Sequence, residues 1–126
     1  MTDSLNRLHH AVLAARSANP LHSRTAKLLN AGRAKMAKKL AEEAVEVVID
    51  AMNGRPDAVV RESADLLYNL VVLWVSAGVR PQEVWAEMER RERLFGLAEK
   101  LPKTRVPNSE RRKVISLQKR SVRKSR

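Results

Sequence analysis

Lys39-Leu40-Ala41-Glu42-Glu43-Ala44-Val45-Glu46, followed after a turn by Glu62-Ser63-Ala64-Asp65, is the stretch on which the fold turns. On a helix, Lys39, Glu42, Glu43, Glu46 and Asp50 fall within an arc of roughly 100°. Met36, Leu40, Ala44, Val47 and Ala51 fill the neighbouring arc, and Val45, Ile49 and Met52 take most of what remains. The acids therefore form a narrow stripe with apolar flanks, in a helix expected to be otherwise buried. A solvated helix face is instead broad and mixed in sign. On a second helix, residues 58 to 77, Glu62, Asp65 and Asn69 share one stripe, with Val59, Leu66, Leu67, Leu70, Val71, Trp74 and Val75 around most of the rest. Half-buried carboxylates repel one another and lose hydration. Two such stripes on adjacent helices point to a shared cation, and a hard divalent ion, Mg²⁺ above all, takes oxygen ligands of this kind.

Working outward, Asp3 or Ser4 is placed to cap a first helix with Leu5, Leu8, Val12 and Ala15 at helical spacing, and Asn19-Pro20 ends it. Ser23 caps a short helix through Thr25 to Leu29, and Ala31-Gly32 breaks the chain before a long helix from Arg33 to Met52. Asn53-Gly54 ends that helix; Arg55-Pro56-Asp57 turns into the next, from Ala58 to Ala77, which Gly78 closes. Pro81 opens a last helix running to Leu94, with a break at Gly96. No segment alternates with period two. The expected fold is therefore all-α, a bundle of four to five helices. Leu66 to Val79 is apolar nearly all round. One thin bundle cannot cover such a helix, so the bundle is expected to be completed by homodimerisation.

The 126 residues are one domain's worth of chain and include no cysteine, which excludes a disulfide framework and a thiolate zinc site. Met1 to Asn6 is polar, unlike a signal peptide, and no stretch approaches a membrane span, so a cytoplasmic protein is expected. The net charge of +11 invites a nucleic-acid reading, but its distribution does not support one. From Lys103 onward there are 10 Lys/Arg and one acid, Glu110, a charge of +9; residues 1–102 hold 15 Lys/Arg and 13 Asp/Glu, a charge of +2. Residues 1–102 are expected to be the folded body and 103–126 a basic, disordered tail. Polyanion binding would be confined to that tail, which lacks interleaved aromatics and leaves the acidic stripes unexplained.

Side chains at i and i+3 on a helix project side by side. Glu43-x-x-Glu46 and Glu62-x-x-Asp65 on antiparallel helices thus bring four carboxylates to one volume, enough for one or two Mg²⁺ or Mn²⁺ ions with positions left for phosphate oxygens and water. A single pair of this kind is more often a surface ion-pair former; two pairs, both flanked by apolar residues, favour a site. Glu42 is placed to bind metal or orient a water as general base, and Lys39 to direct a cation at the same point. The chemistry indicated is metal-assisted attack of water on a phosphate chain. Among Arg16, Arg24, Lys27, Arg33 and Lys35, near the turn before the acidic helix, Lys27 is the foremost phosphate ligand, with Arg16 a further candidate. His9, His10 and His22 lack metal-binding spacing, and Trp74 and Trp85 read as core or interface.

With fifteen residues between its two halves, this pattern resembles the ExxE…ExxD signature of the all-α MazG-like nucleotide pyrophosphohydrolases. Within that superfamily the chain is most similar to the phosphoribosyl-ATP pyrophosphohydrolase family, through Ser23-x-Thr25-Ala26-Lys27-Leu28-Leu29, Lys39-x-x-Glu42-Glu43-Ala44-x-Glu46-Val47, Glu62-x-Ala64-Asp65-Leu66-Leu67-Tyr68 and Arg91 to Lys100. The resemblance covers about residues 5 to 102. It implies Mg²⁺-dependent hydrolysis of phosphoribosyl-ATP to phosphoribosyl-AMP and pyrophosphate, the second step of histidine biosynthesis, in a cytoplasmic homodimer. By position it places Glu42, Glu43, Glu46, Glu62 and Asp65 at the metal and water site, Glu43, Glu46, Glu62 and Asp65 among them as metal ligands. Lys27 and Lys39 fall on phosphates, and Asn69 stands where the family usually carries His, in the substrate region. A sister activity, clearing non-canonical nucleoside triphosphates, uses the same metal site.

Overall fold

The computed structural model describes residues 3–95. They form five helices: α1, Ser4–Ala15; α2, Arg24–Ala31; α3, Arg33–Met52; α4, Pro56–Ala77; and α5, Pro81–Phe95. There is no strand among the described residues. The fold is all-α, as the sequence periodicity requires. The tail expected from residue 103, and the end of the body from Gly96 to Pro102, lie outside the described residues.

The helix boundaries follow local chemistry. The Ser23 hydroxyl accepts from the Ala26 amide at 3.0 Å and starts α2. Pro56 occupies the first turn of α4, where its missing N–H costs nothing, so the helix begins before Ala58. Gly78 ends α4 at φ 76°, a left-handed cap whose amide reaches back to the last turn. Asp3 sits at the N-cap of α1, but its side chain does not cap the helix; it accepts instead from the side-chain Nδ2 of Asn6 at 3.4 Å. The first helix stops at Ala15, before Asn19-Pro20 is reached, and residues 16–22 turn back towards α2.

Within residues 3–85 the main pairing is α3 on α4, with α1 also packed on α4 and α2 set against α3. Val12, Met36, Val71, Val72 and Val75 are buried at the centre. Leu5, Leu8, Leu28, Leu29, Tyr68 and Trp74 are among those that pack around them. Trp74 meets Trp85 edge-to-face with ring centroids 6.4 Å apart, so both indoles are used in packing. Further along α5, Glu87 accepts from Arg90 at 2.8 Å and from Arg91 at 2.9 Å, which holds its carboxyl down to about 2. These ion pairs are exposed and add little stability.

Two expectations need correction. The long acidic helix is not otherwise buried: of α3 only Met36 is fully enclosed. Nor does the uncovered apolar surface lie mainly between Leu66 and Val79, where Val71, Val72 and Val75 are the core. Its largest grouping is on Val45, Val48, Ile49 and Met52 of α3 and on Val60 of α4, with Met52 82% and Val60 70% exposed, while Leu21 and Leu67 are exposed singly. No described helix is long and apolar enough to cross a membrane.

Candidate active site

The α3–α4 hairpin turns through Asn53 and Gly54, and its antiparallel pairing faces the two acidic stripes towards each other. Oxygens of Glu43, Glu62 and Asp65 lie within 4.8 Å of one another. A second group, Glu46, Asp50 and Glu62, meets the same limit, so Glu62 belongs to both. Every donor is a carboxylate oxygen, which suits a hard divalent cation and offers a soft metal no sulfur or imidazole. No histidine enters either group among the described residues. Glu43 and Glu62 are half-buried, while Glu42, Glu46 and Asp65 stand on the exposed side.

Glu62 registers this crowding. A hydrogen bond with Glu43 raises its carboxyl above the ordinary carboxylate range. Burial pushes in the same direction, as does the negative charge of Glu43, Asp65 and Glu46.

A cleft of about 610 Å³ opens beside the acids. Glu42, Glu43 and Asp65 line one part of it, and Arg24, Lys27, Lys35 and Lys39 bring four cations to the rest. Leu28, Ala31, Tyr68 and Asn69 complete the wall. The Tyr68 and Thr25 hydroxyls share a 2.6 Å hydrogen bond that ties α4 to α2. Negative and positive walls in one cleft fit a metal-bound polyphosphate, with the acids on the metal and the cations on phosphate oxygens. Another hollow, of about 460 Å³, lies at the α3–α4 turn, walled by Ala51, Pro56, Val59 and Val60, and holds none of the acids.

The structure thus brings together Lys27, Lys39, Glu42, Glu43, Asp65 and Asn69 at the cleft, with Glu62 and Glu46 in the carboxylate groups. It does not bring Arg16 there. Arg16 lies beyond the end of α1 and lines a separate hollow with Leu29, Asn30, Val75 and Ser76. Arg33 is also engaged elsewhere, donating to the Ser76 hydroxyl at 3.1 Å and carbonyl at 2.8 Å. Asp50 joins the acids without having been singled out as a ligand. Its signal was its place in the α3 stripe, one turn after Glu46. Arg24 and Lys35 join the cations, and nothing in their local sequence separates them from Arg16 or Arg33.

Comparison with known proteins agrees with this geometry. A family model described as phosphoribosyl-ATP pyrophosphohydrolase matches residues 5–92. A protein of Rhodopseudomonas palustris named phosphoribosyl-ATP pyrophosphatase 2 is 65% identical over 131 residues, covering 100% of both chains. One of the same name from Bradyrhizobium diazoefficiens is 61% identical, covering 98% of each. A phosphoribosyl-ATP pyrophosphatase of Azospirillum brasilense is 51% identical over 96 residues, 76% of this chain and 86% of that one.

Proposed function

The chain belongs to the phosphoribosyl-ATP pyrophosphohydrolase family, and from that premise we propose that it hydrolyses phosphoribosyl-ATP to phosphoribosyl-AMP and pyrophosphate in histidine biosynthesis. The observation that carries the reading is the meeting of Glu43, Glu62 and Asp65 beside a cleft with four cations. Glu43, Glu46, Glu62 and Asp65 would hold Mg²⁺, with Mn²⁺ as a substitute, and Asp50 is added to that set. An ion held there would supply neutralisation of phosphate charge and a more acidic water. Lys27 and Lys39 hold phosphate oxygens and fix the chain against the acids. Glu42, at the cleft and outside both carboxylate groups, is placed to take a proton from the attacking water. The water attacks one phosphorus of the bridge between the α- and β-phosphates, the bond from that phosphorus to the bridging oxygen breaks in line, and phosphoribosyl-AMP and pyrophosphate separate, one carrying the water oxygen and the other the bridging oxygen. We assign this chemistry to residues 1–102, in a cytoplasmic homodimer.

The test is pyrophosphate release from phosphoribosyl-ATP, measured against a panel of nucleoside triphosphates. Turnover of phosphoribosyl-ATP is expected with Mg²⁺, to be abolished by EDTA and restored by Mg²⁺ or Mn²⁺. Preference for a non-canonical triphosphate would replace the substrate assignment by the clearing activity. Full turnover in chelator would overturn the metal reading.

A further inference from the structure

Asn69 stands on α4 one turn after Asp65, in the wall of the cleft, and is only 4% exposed. Its Nδ2 donates to the Asp65 carbonyl at 2.8 Å. A carbonyl only accepts, so this bond fixes which way the amide points. The atom left over is Oδ1, an acceptor. It is closed to solvent and has no hydrogen-bond partner among the described residues. A buried acceptor without a donor weakens the fold, and an apolar side chain of similar size avoids that cost. The hydroxyl next to it in sequence, that of Tyr68, is engaged with Thr25.

The other polar groups of the cleft have different uses. The acids suit a cation, and Arg24, Lys27, Lys35 and Lys39 suit phosphate. Neither set distinguishes one nucleotide from another, because every nucleotide carries phosphate. A neutral acceptor reads a neutral donor. We propose that Asn69 Oδ1 accepts a hydrogen bond from a neutral donor of the bound nucleotide, a sugar hydroxyl or a base N–H, and so selects the nucleotide whose phosphate chain seats against the acids. The inference rests on the nucleotide hydrolase reading above and adds to it the selecting residue. Because Oδ1 is closed to water in the free protein, the donor reaches it as the cleft side chains rearrange around the substrate. A substrate lacking the donor leaves the acceptor buried and unpaired, which is the condition under which hydrogen-bond selectivity is strong.

The experiment measures equilibrium binding, with Mg²⁺, of the uncleavable α,β-methylene analogue of phosphoribosyl-ATP to the full-length chain. Three counterparts are compared: one lacking the 2′-hydroxyl, one lacking the 3′-hydroxyl, and one with the exocyclic base nitrogen replaced by oxygen, which removes its N–H donor. Wild type is expected to bind one of the three at least about tenfold more weakly than the parent. That arm identifies the donor as sugar or base. Asn69→Leu, with Asn69→Ala as a second variant, is expected to bind the parent about tenfold more weakly and to lose that discrimination. The ligand-free melting temperature of Asn69→Leu should equal or exceed that of wild type, because the orphaned acceptor is gone. Three equal affinities for wild type, or unchanged affinity or discrimination in the variants, would overturn the inference alone. Failure of wild type to bind the parent analogue would overturn the nucleotide reading and this inference with it.

Discussion

Glu46 and Asp65 show what a single residue contributes to a site held together by unlike charges. Glu46→Gln and Asp65→Asn keep side-chain shape, and each removes one negative charge from one of the two carboxylate groups that share Glu62, within each of which oxygens lie within 4.8 Å of one another. With Mg²⁺, turnover should fall by about 100-fold or more, the scale for losing an electrostatic partner of a transition state. Without metal, the same change relieves repulsion, so the melting temperature should stay level or rise. Residues serving only as surface ion pairs would leave turnover near wild type. Glu62 adds a pH dependence. Its folded carboxyl titrates above the unfolded one, so the metal-free folded state holds a proton that the unfolded state releases more readily. That contribution is complete below the ordinary carboxylate pKa and lost as pH rises through the raised value. Added Mg²⁺, which requires the ionised carboxylates, should therefore raise the melting temperature more at pH 7 than at pH 4.5. Equal shifts at the two pH values would show that the ion does not bind this cluster. At this scale the acids were legible because i, i+3 spacing is a local property. Arg16 was misplaced because its position depends on how the turn after α1 folds, and sequence periodicity carries no information about that turn.

At the scale of the element, the α3–α4 hairpin does most of the positioning, and its limits are set by a few backbone constraints. The extent of α3, Arg33–Met52, was readable in full because glycine stands just before it and Asn53-Gly54 just after. The start of α4 was read two residues late, since Pro56 looks like a turn residue and serves equally as a first helical residue. Gly78 is the clearest conformational requirement. At φ 76° a Cβ meets no atom within 4 Å, so substitution is opposed by backbone conformation alone. Gly78→Ala should cost about 1 kcal/mol, the penalty of placing an L-residue in the left-handed region. For a domain of this size that lowers the melting temperature by roughly 5 °C. Turnover at 25 °C should be unchanged, since Gly78 is not among the cleft residues. A loss of turnover without a loss of stability would mean that the end of α4 communicates with the site.

For the whole molecule, the apolar surface available to a partner subunit lies elsewhere than the sequence indicated. Apolar periodicity identified α4 as too hydrophobic for a thin bundle but could not show which helices α1 and α2 would cover. They cover the second half of α4, where Val71, Val72 and Val75 are enclosed. The second half of α3 is left with Val45, Val48, Ile49 and Met52 exposed at spacings of three, four and seven, a continuous stripe, and α4 adds Val60. Contiguous apolar surface of this kind marks an interaction site, and a two-fold copy presenting the same stripe is its simplest complement. The stripe shares α3 with Glu46 and Asp50, so assembly would also shield one flank of the carboxylates from water. Val48→Glu places a charge in the middle of the stripe without touching the core. Sedimentation at micromolar concentration should show wild type as a dimer and Val48→Glu as a monomer, with helical content preserved because Val48 is already exposed in the single chain. The monomer should bind Mg²⁺ more weakly if the second copy shields the acids, and equally well if each chain's site is self-sufficient. A wild-type chain that sediments as a folded monomer would leave the stripe without the partner argued for it.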